Sequence, residues 1–171
     1  MLTKKIEKAL NEQIVLEAYA SNSYLAMASW CEVKGLRGAT KFYYAQSEEE
    51  RVHMLKLVRY VNGSGAHANI TAVEGPERAY KSLKETFEAA YKQEQSVSKS
   101  INKLVELTFN DKDYATHHFL QWYVKEQHEE ERLFRSILDL FSLAGEDEKS
   151  LIILDNEIMK VRAEIEQEEE S

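Results

Sequence analysis

The chain is poor in everything that breaks or staples a backbone. Its 171 residues include one proline, six glycines and one cysteine. So few turn-formers exclude a sandwich or barrel of many short strands and favour a few long helices. A single thiol, Cys31, excludes a disulfide framework, and a reducing, cytoplasmic setting is the simple expectation. No apolar run approaches the ~18 residues of a membrane span. The opening segment is charged throughout and lacks the apolar stretch of a secretory leader. Positive charge is also short: 22 lysines and arginines face 30 acids, a net charge of -8. That balance argues against nucleic-acid and membrane partners and favours cations. What remains is 43% hydrophobic and 30% charged. A chain of this length forms one domain over residues 1–171 and can bury roughly 70% of its unfolded surface.

The periodicity predicts an all-α chain with helices at about 3–33, 37–62, 80–109, 112–143 and 147–166. Gly35 and Gly38 punctuate the first turn, residues 110–113 the third, and Gly145 the last. The second connection is different, with Gly63, Gly65, Gly75 and Pro76. A segment of about 16 residues reaches about 50 Å when extended. The second helix is roughly 39 Å long. The connection can therefore run the length of a bundle and start the third helix at the same end as the second. One long crossover between two short turns is the ferritin-like arrangement of four helices, with the fifth as a short addition; ferritin-like folds are the standard example of that topology.

Each of the first four helices carries an apolar stripe, and each stripe is interrupted by an acid near its midpoint: Glu17, Glu50, Glu94 and Glu130. Helices of similar length, packed side by side, bring those midpoints to one level. An unpaired buried carboxylate costs several kcal/mol or takes up a proton. No lysine or arginine lies on these stripes. Two divalent cations would balance four carboxylates. Glu50-x-x-His53 sets two ligands on one helical face. Oxygen ligands with one imidazole suit Fe²⁺ or Mn²⁺ better than a structural zinc. Taken singly, each of these residues also has a plain reading as a boundary or surface residue.

Residues 10–13 through Trp30-Cys31, Glu49-Glu50-Arg51-Val52-His53, residues 119–124 and 126–131 together closely resemble the bacterial non-haem ferritins, over nearly the whole chain. The resemblance implies a shell of twenty-four subunits that oxidises Fe(II) and stores Fe(III) mineral. It places Glu17, Glu50 and His53 at a first iron, with Glu50 bridging to a second held by Glu94 and Glu130 beside Gln127. It places Glu49, Glu126, Glu129 and Glu130 at a third, and Tyr24 and Trp122 beside the centre as electron donors during oxygen reduction, with oxygen or peroxide as the oxidant of the irons. Tyr24 is equally read as a core tyrosine bonded to a ligand, and Trp122 as packing. Bacterioferritins carry a second Glu-x-x-His where this chain has Gln127-x-x-Glu130, so the second iron is expected to be held more weakly. Their haem methionine corresponds to Arg51, so no haem is expected.

The fifth helix carries Leu151, Leu154, Ile158, Val161 and Ile165 as a seam. A completed bundle is expected to leave it nothing to pack on within the subunit, which implies oligomerisation; the alternative is a helix lying along its own bundle. The resemblance places it at fourfold axes and His117 and His118 near threefold channels, though a surface reading suits the histidines as well. His128 is expected to be exposed, Cys31 to be a core hydrophobe, and the acids of residues 164–170 to form a solvated end. Two rival functions are open. One is a di-iron oxidase or peroxide scavenger without large-scale storage. The other is a non-catalytic assembly protein whose acids are merely solvated.

Overall fold

The computed structural model describes residues 2–145 and 147–169, and five helices account for most of them: α1 Lys4–Val33, α2 Arg37–Gly63, α3 Leu83–Asn110, α4 Tyr114–Ala144 and α5 Glu148–Glu169. No helix is long and apolar enough to cross a membrane, among the described residues.

Local chemistry sets most of the helix starts. Thr3 caps α1 by accepting from Ile6 N at 3.2 Å. Ser82 caps α3 from Glu85 N at 3.1 Å, and Asp113 caps α4 from Thr116 N at 3.0 Å. The start of α2 differs, because Leu36 offers no side-chain acceptor. Asp155 of α5 supplies the cap, accepting from Gly38 N at 2.9 Å and Ala39 N at 2.8 Å. Gly38 is required at that contact: a Cβ there would collide with the Asp155 carbonyl.

The crossover, residues 64–82, runs the length of the bundle. Near its start, Asn11 of α1 donates to His67 O at 3.2 Å and accepts from Asn69 N at 2.6 Å. Near its end, Tyr80 packs edge-on against Trp30, with ring centroids 5.9 Å apart. Asn11 and Trp30 stand roughly 29 Å apart along α1. The segment therefore returns the chain to the end where α2 began, and α2 and α3 run against α1 and α4.

Two apolar blocks fill the bundle, one above and one below its middle. The lower holds Ile6, Leu10, Ile14, Leu57, Val97, Ile101, Leu104 and Leu120. The upper gathers Tyr24, Met27, Cys31, Phe42, Tyr43, Phe87, Phe134 and Ile137. Cys31 is fully buried there, and burial pushes its thiol up to about 12.

The fifth helix overturns one expectation. Leu154, Ile158 and Ile165 are buried against the same chain, where α5 lies along α2 and α4. The seam needs no second copy, because the outward faces of α2 and α4 form a groove that accepts it. Each such side chain contributes about 1.5–3 kcal/mol on burial. The exposed side of α5 still carries Ile152 and Ile153.

Candidate metal centre

Between the two apolar blocks, four helices project polar side chains into one layer. Glu17 is 0% exposed, Glu50 1%, His53 2%, Glu94 0%, Gln127 4% and Glu130 6%. The mid-helix acids thus point inward at one level, and the reading of them as merely solvated is excluded.

The α1–α2 half is short of partners. One ligand atom each from Glu17, Glu50 and His53 lie within 4.8 Å of one another. His53 Nδ1 is 3.5 Å from Glu50 Oε2. Glu17 Oε2, both oxygens of Glu50 and His53 Nδ1 are buried with no hydrogen-bond partner. Buried lone pairs converging this way are costly unless a cation collects them. Two carboxylates and an imidazole, with no thiolate, fit a ferrous or similar ion. The supports are in place: Gln13 donates to Glu17 Oε1 at 2.8 Å and accepts from Ser100 Oγ at 2.6 Å. Tyr123 donates to the His53 carbonyl at 2.8 Å, and Trp122 stands edge-on to the imidazole, centroids 5.2 Å apart. His53 Nε2 faces Glu126 Oε2 at 3.9 Å, beyond hydrogen-bond distance.

The α3–α4 half is satisfied by protein donors. Tyr24 O–H donates to Glu94 Oε1, and Gln127 Nε2 donates to Glu94 Oε2 at 3.0 Å. Gln46 Nε2 donates to Glu130 Oε2 at 2.8 Å. Tyr24 is itself held between Tyr43 and Phe134, with centroids 6.0 and 5.7 Å away. The structure fits the core-tyrosine reading of Tyr24: a buried aromatic whose hydroxyl is bonded to the Glu94 carboxylate.

Electrostatics follow the burial. Burial first, and then the charges of Glu94, Glu17 and Glu130, hold the Glu50 carboxyl well above its usual range. Glu130 is raised by burial and by Glu94 and Glu49, with Gln46 and Arg162 opposing. Burial pushes Glu94 up to about 7, its hydrogen bonds from Tyr24 and Gln127 offsetting part of the rise. Burial lowers His53, which keeps its imidazole neutral and able to ligate. A cluster of this kind holds protons that a divalent ion displaces.

Glu49, Glu126 and Glu129 lie outside this layer. With Glu130, Leu133, Arg162 and Ile165 they line a hollow of about 40 Å³ under α5. Glu49 is ion-paired there to Arg162 Nη2 at 2.7 Å, and Arg162 Nη1 donates to Gln46. Cations do reach these acids: Arg162 from the fifth helix, and the exposed Lys125 of α4, whose Nζ lies 2.9 Å from Glu129 Oε1. Sequence reasoning missed Arg162, Gln46 and Gln13. The available signal was a polar residue on an apolar stripe: Gln46 stands one turn before Glu50, Gln13 one turn before Glu17, and Arg162 falls between Ile158 and Ile165 at helical spacing. Outside the centre, His117 is half-buried with Nδ1 3.5 Å from Thr108 Oγ1, and His118, His128 and Arg51 are exposed.

The comparisons agree with this architecture. The Ferritin family, described as a ferritin-like domain, matches residues 7–144. A bacterial non-heme ferritin of Campylobacter jejuni is 48% identical over 94% of this chain and 96% of its own length. One from Escherichia coli O157:H7 is 42% identical over 92% and 96%. A crystal structure of an open-pore ferritin from Archaeoglobus fulgidus superposes with a TM-score of 0.90 at 39% identity, covering 92% of this chain and 98% of that one. With its crossover, its buried polar layer and these relatives, the chain belongs to the ferritin family, among the bacterial non-haem ferritins.

Proposed function

We propose that the protein is an iron-storage ferritin that oxidises Fe(II) at a two-iron ferroxidase centre within each subunit. The observation that carries this reading is the orphaned set of Glu17 Oε2, both Glu50 oxygens and His53 Nδ1 at the heart of the bundle. Glu17, Glu50 and His53 take the first Fe(II) and displace protons from the acids. Glu50 is shared with the second, which Glu94 and Glu130 hold beside Gln127. Each ion gives up one electron. The pair reduces oxygen and two protons to hydrogen peroxide, or hydrogen peroxide and two protons to two waters. The protein's part is placement and charge compensation, and the ions supply the redox chemistry. A second half already bonded to Tyr24, Gln46 and Gln127 suits an ion that moves on.

The resemblance to a twenty-four-subunit shell extends the reading to a mineral store, with Glu49, Glu126, Glu129 and Glu130 as a third iron site on the way. Arg51 supports a haem-free protein, and a chain whose one thiol is free and buried suits a reducing cytoplasm. The test is aerobic loading with Fe(II), following oxygen uptake and iron per chain. Storage predicts uptake far beyond the ions that the ligands themselves could hold. Loading that stops at two or three per chain favours a non-storing di-iron oxidase or peroxide scavenger. That second reading gains from α5, whose seam is covered without a second copy.

A further inference from the structure

The hollow under α5 has an occupant of its own. Glu49, Glu126, Glu129 and Glu130 supply its acids; the guanidinium of Arg162 lines it and pairs Glu49, while Lys125, an exposed residue that is not part of the lining, pairs Glu129 at 2.9 Å. The Arg162 side chain is only 11% exposed. It forks: one nitrogen bonds Glu49 and the other bonds Gln46, whose amide in turn donates to Glu130. Its placement is not accidental. Ile158 and Ile165, one turn to either side, are buried. Two turns back, Asp155 is fixed to the start of α2 by two hydrogen bonds. A fork pre-shaped for two acceptors, on an anchored helix, is a built contact and not a loose surface pair.

We propose that Arg162 is the built-in counter-cation of this acidic hollow, and that a metal ion can bind Glu49, Glu126, Glu129 and Glu130 only by displacing it and loosening the end of α5. The inference rests on the metal-centre reading and deepens it. Occupancy of the outer site and docking of α5 then oppose one another. Because Arg162 also reaches Glu130 through Gln46, its displacement frees a donor from the carboxylate shared by the centre and the hollow. Arg162 is thus a positioning residue that sets how easily an ion passes from one to the other.

The experiment is calorimetric titration of the assembled, metal-free protein with Zn(II), which binds without redox turnover, alongside hydrogen exchange over residues 155–165. The wild type is expected to show two tighter sites per chain and a weaker third, with exchange in α5 rising only as the third fills. Arg162→Gln should tighten the third site roughly tenfold and leave the first, at Glu17 and His53, unchanged. Arg162→Lys, which keeps the charge, should stay within about threefold of wild type at that site, since the charge is what the metal must replace. A third site indifferent to Arg162→Gln, a lysine variant that behaves like the glutamine one, or α5 protection unchanged at saturation overturns the proposal. Absence of the two tighter sites in the wild type would instead sink the metal centre itself.

Discussion

The two halves of the centre use the same chemistry in opposite states. At Glu17, Glu50 and His53, four buried ligand atoms lack partners. At Glu94 and Glu130, Tyr24, Gln127 and Gln46 already occupy the carboxylates. A cation arriving at the first half gains lone pairs that nothing else uses. At the second it must compete with hydrogen bonds worth roughly 0.5–1.5 kcal/mol each, more where the acceptor is charged. The asymmetry expected from the missing second histidine is thus reinforced by the donors around it. On the proposed reading, one half captures an ion and the other yields it.

The hardest blow to that contrast is Glu50→Ala, which removes the carboxylate both halves share. Fe(II) oxidation, followed by the near-UV absorbance of ferric product, should slow about 100-fold or more, since even outer-shell losses cost 10–100-fold. An unchanged rate would refute the bridging role. Tyr24→Phe is gentler and one-sided. It keeps the stacking on Tyr43 and Phe134 but removes a donor that competes for Glu94, so the second Zn(II) should bind about tenfold more tightly and the first as before. An equal change at both would show that the halves are not independent.

The shared protons give a third test. Glu94 titrates at about 7 in the fold, against roughly 4.3 for a free glutamate. Between those values the folded chain keeps a proton that the unfolded chain has released. The group therefore favours folding in acid, and its contribution is lost as pH rises through about 7. Metal-free protein should gain melting temperature on acidification from above pH 7 to about pH 5, through this group. The extra melting temperature conferred by Zn(II) should shrink over the same range, as protons compete. A Zn(II) shift that is flat with pH would mean the acids enter the fold already ionised.

The smallest effect lies outside the centre. Asp155→Ala strips the cap that α5 lends to α2 and should cost about 1 kcal/mol in denaturant melts, as other capping losses do. No loss would mean that the cap is replaced by water and that the apolar seam alone holds α5.

The sequence by itself determined the helices, the crossover and the inward row of acids. Those features are local or periodic: Thr3, Ser82 and Asp113 cap their own helices, and Glu17, Glu50, Glu94 and Glu130 interrupt stripes whose phase is written in neighbouring residues. Only the tertiary structure decided where α5 lies, because its seam fits a second copy or its own bundle equally well until the groove between α2 and α4 is formed. Likewise, nothing within α2 shows that its first turn is capped by Asp155, more than a hundred residues away. Nor does the pattern of α5 show that Arg162 reaches Glu49 and Gln46. Hydrogen bonds between distant segments are set by packing geometry, which helical periodicity does not encode.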